Sequence, residues 1–204
     1  MRLLVLYGHH IEEKDFGKRV CEEYQKRFSP DKNKFLAVTV TNPTKAGSSN
    51  EERPLAEIIE YIKKHKPKFF VNLHHSKGTS KKQEKEESPL TKYLKKHYNS
   101  TQEIKSPLIE NILIEYYGEG LNDSFFECFE DVFTQGIMAL PEKSNASIHH
   151  QLYEGAQKLN THYIVIEAIL EGREWDIFDN ETNRETFENT LQILHRLQKY
   201  TDKL

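Results

Sequence analysis

Short apolar runs of strand length alternate with amphipathic helical patterns along nearly the whole chain, and this alternation most limits what the polypeptide can fold into. "RLLVLYG" reads as a strand, and "KDFGKRVCEEYQKRF" as a helix with Phe16, Val20, Tyr24 and Phe28 on one face. "KFLAVTVTNP" is a β-branched strand closed by Asn42-Pro43. In "NEERPLAEIIEYIKKH", Leu55, Ile58, Ile59 and Ile62 keep the i, i+3, i+4, i+7 spacing of a helix. Further strands are expected at "KFFVNLHHS", "NILIEYYGEG" and "HYIVIEAIL", and helices at "NDSFFECFEDVFTQG", "SNASIHHQLYEGAQKLN" and "ETNRETFENTLQILHRLQKY". Strands apolar throughout, separated by helices, predict a three-layer α/β/α fold around a largely parallel or mixed sheet. With 204 residues and no repeat or linker, the expectation is a single domain over 1–204. The Lys- and Glu-rich "SKGTSKKQEKEES" can bury little, so a mobile loop is expected over 77–88.

Charged residues form 30% of the chain, yet the net charge is only −3, which gives no bulk attraction to nucleic acid or to an anionic membrane. No apolar stretch is long enough to span a bilayer. Cys21 and Cys128 are too few for a disulfide framework, and no signal peptide is expected at the N-terminus. A cytoplasmic protein acting on a small-molecule or peptide substrate is the resulting expectation.

Chemistry gathers where strands end. "LLVLYGHHIEEKD" runs from an apolar strand straight into His9, His10, Glu12 and Glu13. "KFFVNLHHS" ends on His74 and His75, and Glu167 sits inside the apolar "YIVIEAIL". In open α/β sheets, ligands bind beyond the carboxyl ends of the strands, so a parallel sheet would bring these distant segments to one edge. A catalytic zinc takes three ligands from His, Glu, Asp or Cys and keeps a fourth position open. His-x-x-Glu supplies two of them from one turn, and the sequence offers it twice, as His9/Glu12 and His10/Glu13. His74 or His75 would close the set. Glu167, flanked by Ile164, Val165, Ile166 and Ile169, suits a general base and acid, since partial desolvation favours a raised pKa. His9 and His75 are otherwise expected to fill space or to orient the ligands by hydrogen bonds. His149 and His150 diverge by about 100° around a helix, and are read as surface or cleft lining. The helical spacing of Leu121, Phe125, Phe126, Phe129 and Phe133 indicates core packing.

The order of these motifs resembles the zinc carboxypeptidase superfamily, and within it the succinylglutamate desuccinylase and aspartoacylase branch. "GHHIEE" lays onto that branch's Gly-Thr-His-Gly-Asn-Glu, which makes His10 and Glu13 metal ligands with His9 at the Thr position. "NLHHS" lays onto Asp-Leu-His-Ser/Asn-Thr with His74 as third ligand, and "IVIEAI" onto the strand that carries the catalytic glutamate, at Glu167. The resemblance covers roughly the first eighty residues and the Glu167 strand, through short motifs. It implies one zinc ion per chain and hydrolysis of an amide in a small carboxylate-bearing substrate, such as an N-acyl amino acid or a C-terminal peptide bond. Two departures stand out: Asn72 replaces the usual Asp, and the family's Asp-Leu-Asn-Arg segment is missing between Asn42 and His74. Arg53, the only arginine in that interval, is the candidate carboxylate clamp, with Arg173 as the other choice. Two rival readings are a formylglutamate- or polyglutamate-hydrolase-like enzyme using His75 or His150, and a catalytically degenerate metal-binding module.

Overall fold

The computed structural model describes residues 3–45, 50, 53–77, 112–117, 138–139, 148–171 and 180–203. The loop expected over 77–88, beyond Lys77, lies outside the described residues. So do the aromatic helix around Phe125, Cys128 and Arg173, and the side chains of His149 and His150.

Strands β1 (Leu3–Tyr7), β2 (Phe35–Thr39), β3 (Phe69–Lys77), β4 (Ile112–Tyr117), β5 (Met138–Ala139) and β6 (His162–Leu170) form one sheet in the order β2-β1-β3-β6-β4-β5. β2, β1, β3 and β6 run parallel, β4 runs antiparallel to β6, and β5 is parallel to β4. The sheet is therefore mixed, with its parallel part at the centre. Helices α1 (Lys14–Phe28) and α4 (Glu181–Lys203) cover one face, and α2 (Leu55–His65) and α3 (Ile148–Gln157) the other. This is the expected three-layer α/β/α arrangement.

The pleat divides each central strand between two cores. Leu3, Val5, Val71, Leu73, Ile164 and Ile166 pack with Phe16, Val20 and Tyr24 of α1 and Phe187, Leu191 and Leu194 of α4. The alternate residues Leu4, Leu6, Phe70 and Val165 meet Ile58 and Ile62 of α2 and Leu152 and Ala156 of α3. Each large apolar side chain so buried contributes about 1.5–3 kcal/mol relative to exposure. Because both faces are covered, β1, most of β6 and, apart from Asn72, the Phe69–Leu73 stretch of β3 are apolar and lack the polar alternation of a one-sided sheet.

Two element ends fall inside the expected spans, for local reasons. α2 begins at Leu55, five residues after Asn50, because Pro54 disfavours helical backbone at Arg53 and supplies the preset φ of a helix start. β2 stops at Thr39: beyond it, the Thr41 N–H donates to the Glu57 carboxylate at 3.0 Å, and the Thr41 hydroxyl at 2.8 Å, in place of a neighbouring strand. Among the described residues no helix is long and apolar enough to cross a membrane.

Candidate metal centre

β1 delivers its residues to the site through Gly8, whose φ of +69° turns the chain where a Cβ would stand 3.0 Å from that of Lys14. His10 is extended and pairs with Thr44 beyond β2: the Ile11 N–H donates to the Thr44 carbonyl at 2.8 Å, and the Thr44 N–H to the His9 carbonyl at 3.4 Å. A single 3-10 turn, Ile11–Glu13, then folds Glu13 back over His10. His10 stands at the N-cap of that turn and Glu13 at its third position, a capping-box spacing, which is why His-x-x-Glu brings its two groups together here. The Glu13 N–H donates to the His10 carbonyl at 3.2 Å, and the Glu13 carboxylate accepts the His10 N–H at 3.3 Å.

The third member arrives from β3. His10 Nδ1 lies 2.8 Å from Glu13 Oε1, and His74 Nδ1 lies 3.0 Å from each Glu13 oxygen. The rings of His9, His10 and His74 form a triangle with centroids 4.7, 5.3 and 5.5 Å apart. His10, Glu13 and His74 are buried, at 9%, 6% and 3% exposure. Burial alone would push the Glu13 carboxyl up. The charge of His74 and the hydrogen bonds from both imidazoles outweigh it, and hold the carboxyl well below the usual carboxylate range.

Strand pleating separates the two histidines of "NLHHS". His74 and Glu167 are register partners on β3 and β6, so both belong to the α2–α3 face of the sheet, and Glu167 is buried there. His75 turns to the α1–α4 face. Its ring meets Phe16 edge-on at 5.6 Å, and its Nε2–H donates to the Glu12 carbonyl at 3.0 Å. Of the two His-x-x-Glu pairs, only His10 and Glu13 converge. Glu12 is exposed, while His9 is buried, its Nδ1 3.3 Å from the Asn72 side-chain amide. Asn72, noted in the sequence only as a replacement for Asp, donates through the same nitrogen to the Tyr163 hydroxyl at 3.2 Å. A wholly buried Asn inside an apolar strand was the signal for this chain of hydrogen bonds beneath the triad. His162 begins β6, at the opposite end of the sheet, stacked on Phe69 at 4.9 Å. Arg53 is exposed, just before the start of α2, its N–H bonded to the Asn50 carbonyl at 3.0 Å.

The donor set suits a borderline ion: two imidazole nitrogens and a carboxylate, all within 4.8 Å of one another. Tetrahedral zinc places neighbouring donor atoms about 3.3–3.5 Å apart. The contacts of 2.8–3.0 Å would need to open by only about half an ångström to admit it.

No family model and no curated protein matches the chain. Among solved structures it is similar to the crystal structure of a protein with unknown function from Thermoplasma acidophilum. That alignment covers 100% of this chain and 87% of the other, at 8% identity and a TM-score of 0.47. A likeness of that degree carries no argument about function.

Proposed function

We propose that the protein is a zinc-dependent hydrolase that binds one ion through His10, Glu13 and His74 and cleaves an amide bond in a small carboxylate-bearing substrate. The observation that carries the reading is the convergence of two imidazole Nδ1 atoms on one buried carboxylate, from two strands far apart in sequence. Zinc in such a set supplies a Lewis acid for the scissile carbonyl and makes water acidic enough to ionise near neutral pH. The chain's own work is the rest. His10 and Glu13 present their donors from one rigid turn, and His74 presents its own from the adjacent strand. Glu167, in register with His74 and on the same face, takes the proton of the attacking water and returns it to the leaving amine. His75 faces away from that side of the sheet, so we favour His74 as third ligand over a set built on His75.

Arg53, exposed just before α2, is our candidate for the substrate carboxylate. The buried free thiol of Cys21 suits a reducing compartment, and a cytoplasmic setting is part of the proposal, with neither nucleic acid nor membrane as partner.

The test is metal content of the untagged protein beside a His10→Ala, His74→Ala variant. About one zinc per chain in the parent and none in the variant is the expected result. Equal metal in both, or none in either, overturns the site. Glu167→Gln should keep the metal and lose hydrolysis across a panel of N-acyl amino acids. Unchanged turnover in that variant removes Glu167 from the mechanism.

A further inference from the structure

We propose that His75 is a positioning residue: it holds the 11–13 turn, and with it the Glu13 carboxylate, in ligand geometry before any ion arrives. The metal half of this inference rests on the reading of the site given above; the structural half does not.

The argument begins with β3. Adjacent residues of a strand point to opposite faces, so His74 and His75 cannot share one job. His74 reaches the Glu13 carboxylate directly, 3.0 Å from both oxygens. His75, on the other face, reaches the same turn from behind, its Nε2–H donating to the Glu12 carbonyl at 3.0 Å. That carbonyl belongs to the peptide unit joining Glu12 to Glu13. One strand therefore fixes both the third ligand and the backbone that carries the second. The His75 ring is itself fixed, edge-on to Phe16 at 5.6 Å, and Phe16 is edge-on to Phe187 of α4 at 6.3 Å. On its far side the turn is tied to Thr44 by the Ile11 N–H. Held from both flanks, the turn leaves Glu13 little freedom to drift from the two imidazoles, which keeps the donors within about half an ångström of the separation an ion requires. Hydrogen bonds of this kind to metal-bearing segments typically tune metal affinity by about 10–100-fold.

Three measurements test this. In metal-free parent protein, imidazole nitrogen NMR should find His75 carrying a proton at Nε2; a ring protonated at Nδ1 alone overturns the proposal. His75→Phe keeps a ring against Phe16 without the donor, and His75→Gln restores an N–H near the position of Nε2. Amide exchange at Ile11 and Glu13 in metal-free protein should quicken about tenfold in His75→Phe, the worth of one hydrogen bond, with α4 amides unchanged. Unchanged exchange at both amides overturns it. Finally, cobalt(II) titration should give an affinity about 10–100-fold weaker for His75→Phe, with shifted visible bands, and recovery in His75→Gln. Parental affinity and bands in His75→Phe, or no recovery in His75→Gln, remove His75 from any role at the metal. A parent that binds no cobalt defeats the proposed function and the metal half of this inference. The tautomer and the exchange rates then still decide whether His75 holds the turn, and the tautomer needs no variant that folds.

Discussion

Asn72, beneath the triad, and His162 and His195, elsewhere in the fold, carry consequences that can be measured. Asn72 is wholly buried and gives its two amide hydrogens to His9 and Tyr163. Asn72→Leu takes both donors away from buried acceptors, and should lower stability by about 1–3 kcal/mol in urea unfolding. A midpoint equal to the parent's would show that the two bonds contribute nothing net. His162 and His195 give a pH dependence. Burial, followed by Lys68 for His162 and by Lys199 and Arg196 for His195, pushes both pKa values down from 6.5. A folded pKa below the unfolded one means the unfolded chain binds the proton more readily. Their contribution to stability is therefore full above about pH 6.5 and is lost as the pH falls through the folded values. The urea midpoint should drop between pH 7 and pH 5, and drop less in a His162→Gln, His195→Gln variant. An equal drop in the two proteins would locate the effect in other groups.

The elements are set by a few close approaches and turns. Gly17 lets α1 lie directly over β1: a Cβ there would stand 2.5 Å from Tyr7 Cβ. Gly17→Ala must push the helix off the strand or displace Tyr7. It should cost about 1–3 kcal/mol, against a helix propensity that by itself would favour Ala. An unchanged or higher melting temperature would mean that the helix shifts freely. At the end of α2, Lys66 takes the left-handed conformation with φ of 45° and closes the helix with its N–H on the Ile62 carbonyl at 2.8 Å. Glycine adopts that conformation without strain, so Lys66→Gly should raise stability by about 1 kcal/mol, read as a higher denaturant midpoint. The opposite sign would point to a Lys66 contact that offsets the strain.

At the scale of the whole molecule, the sheet joins the triad to the fold's stability. The ligands come from the turn after β1 and from β3, and Glu167 comes from β6, three adjacent parallel strands. An ion bound only by the native arrangement stabilises it by mass action, by about 2.7 kcal/mol at a free concentration one hundred times its dissociation constant. Added zinc should therefore raise the melting temperature of the metal-stripped parent, and leave a His10→Ala, His74→Ala protein where it was. An equal rise in both would mean zinc binds elsewhere on the chain.

Much of this was legible in the sequence because it is local. Short apolar runs separate Leu3–Tyr7, the Phe69–Leu73 part of β3 and the Tyr163–Leu170 part of β6 from the helices between them, since a strand covered on both faces is largely apolar. The His-x-x-Glu spacing by itself lets a residue at the head of a helical turn meet the carboxylate at the turn's third position. Spacing alone could not choose between the two overlapping His-x-x-Glu pairs, nor between His74 and His75, because adjacent identical residues differ only in the direction they take; only the motif resemblance singled out His10, Glu13 and His74. Which face holds the site depends on where the turn after β1 comes to rest, and that is decided by β1 and β3 lying side by side, by Thr44 on one flank and by the packing of α1 against the sheet. Nor does any local pattern announce that Asn72, His9 and Tyr163 meet, since they are 63 and 91 residues apart along the chain and touch only once the strands pair. Secondary structure followed from period and turn chemistry; the meeting of donors followed from long-range strand register, which no short stretch of chain encodes.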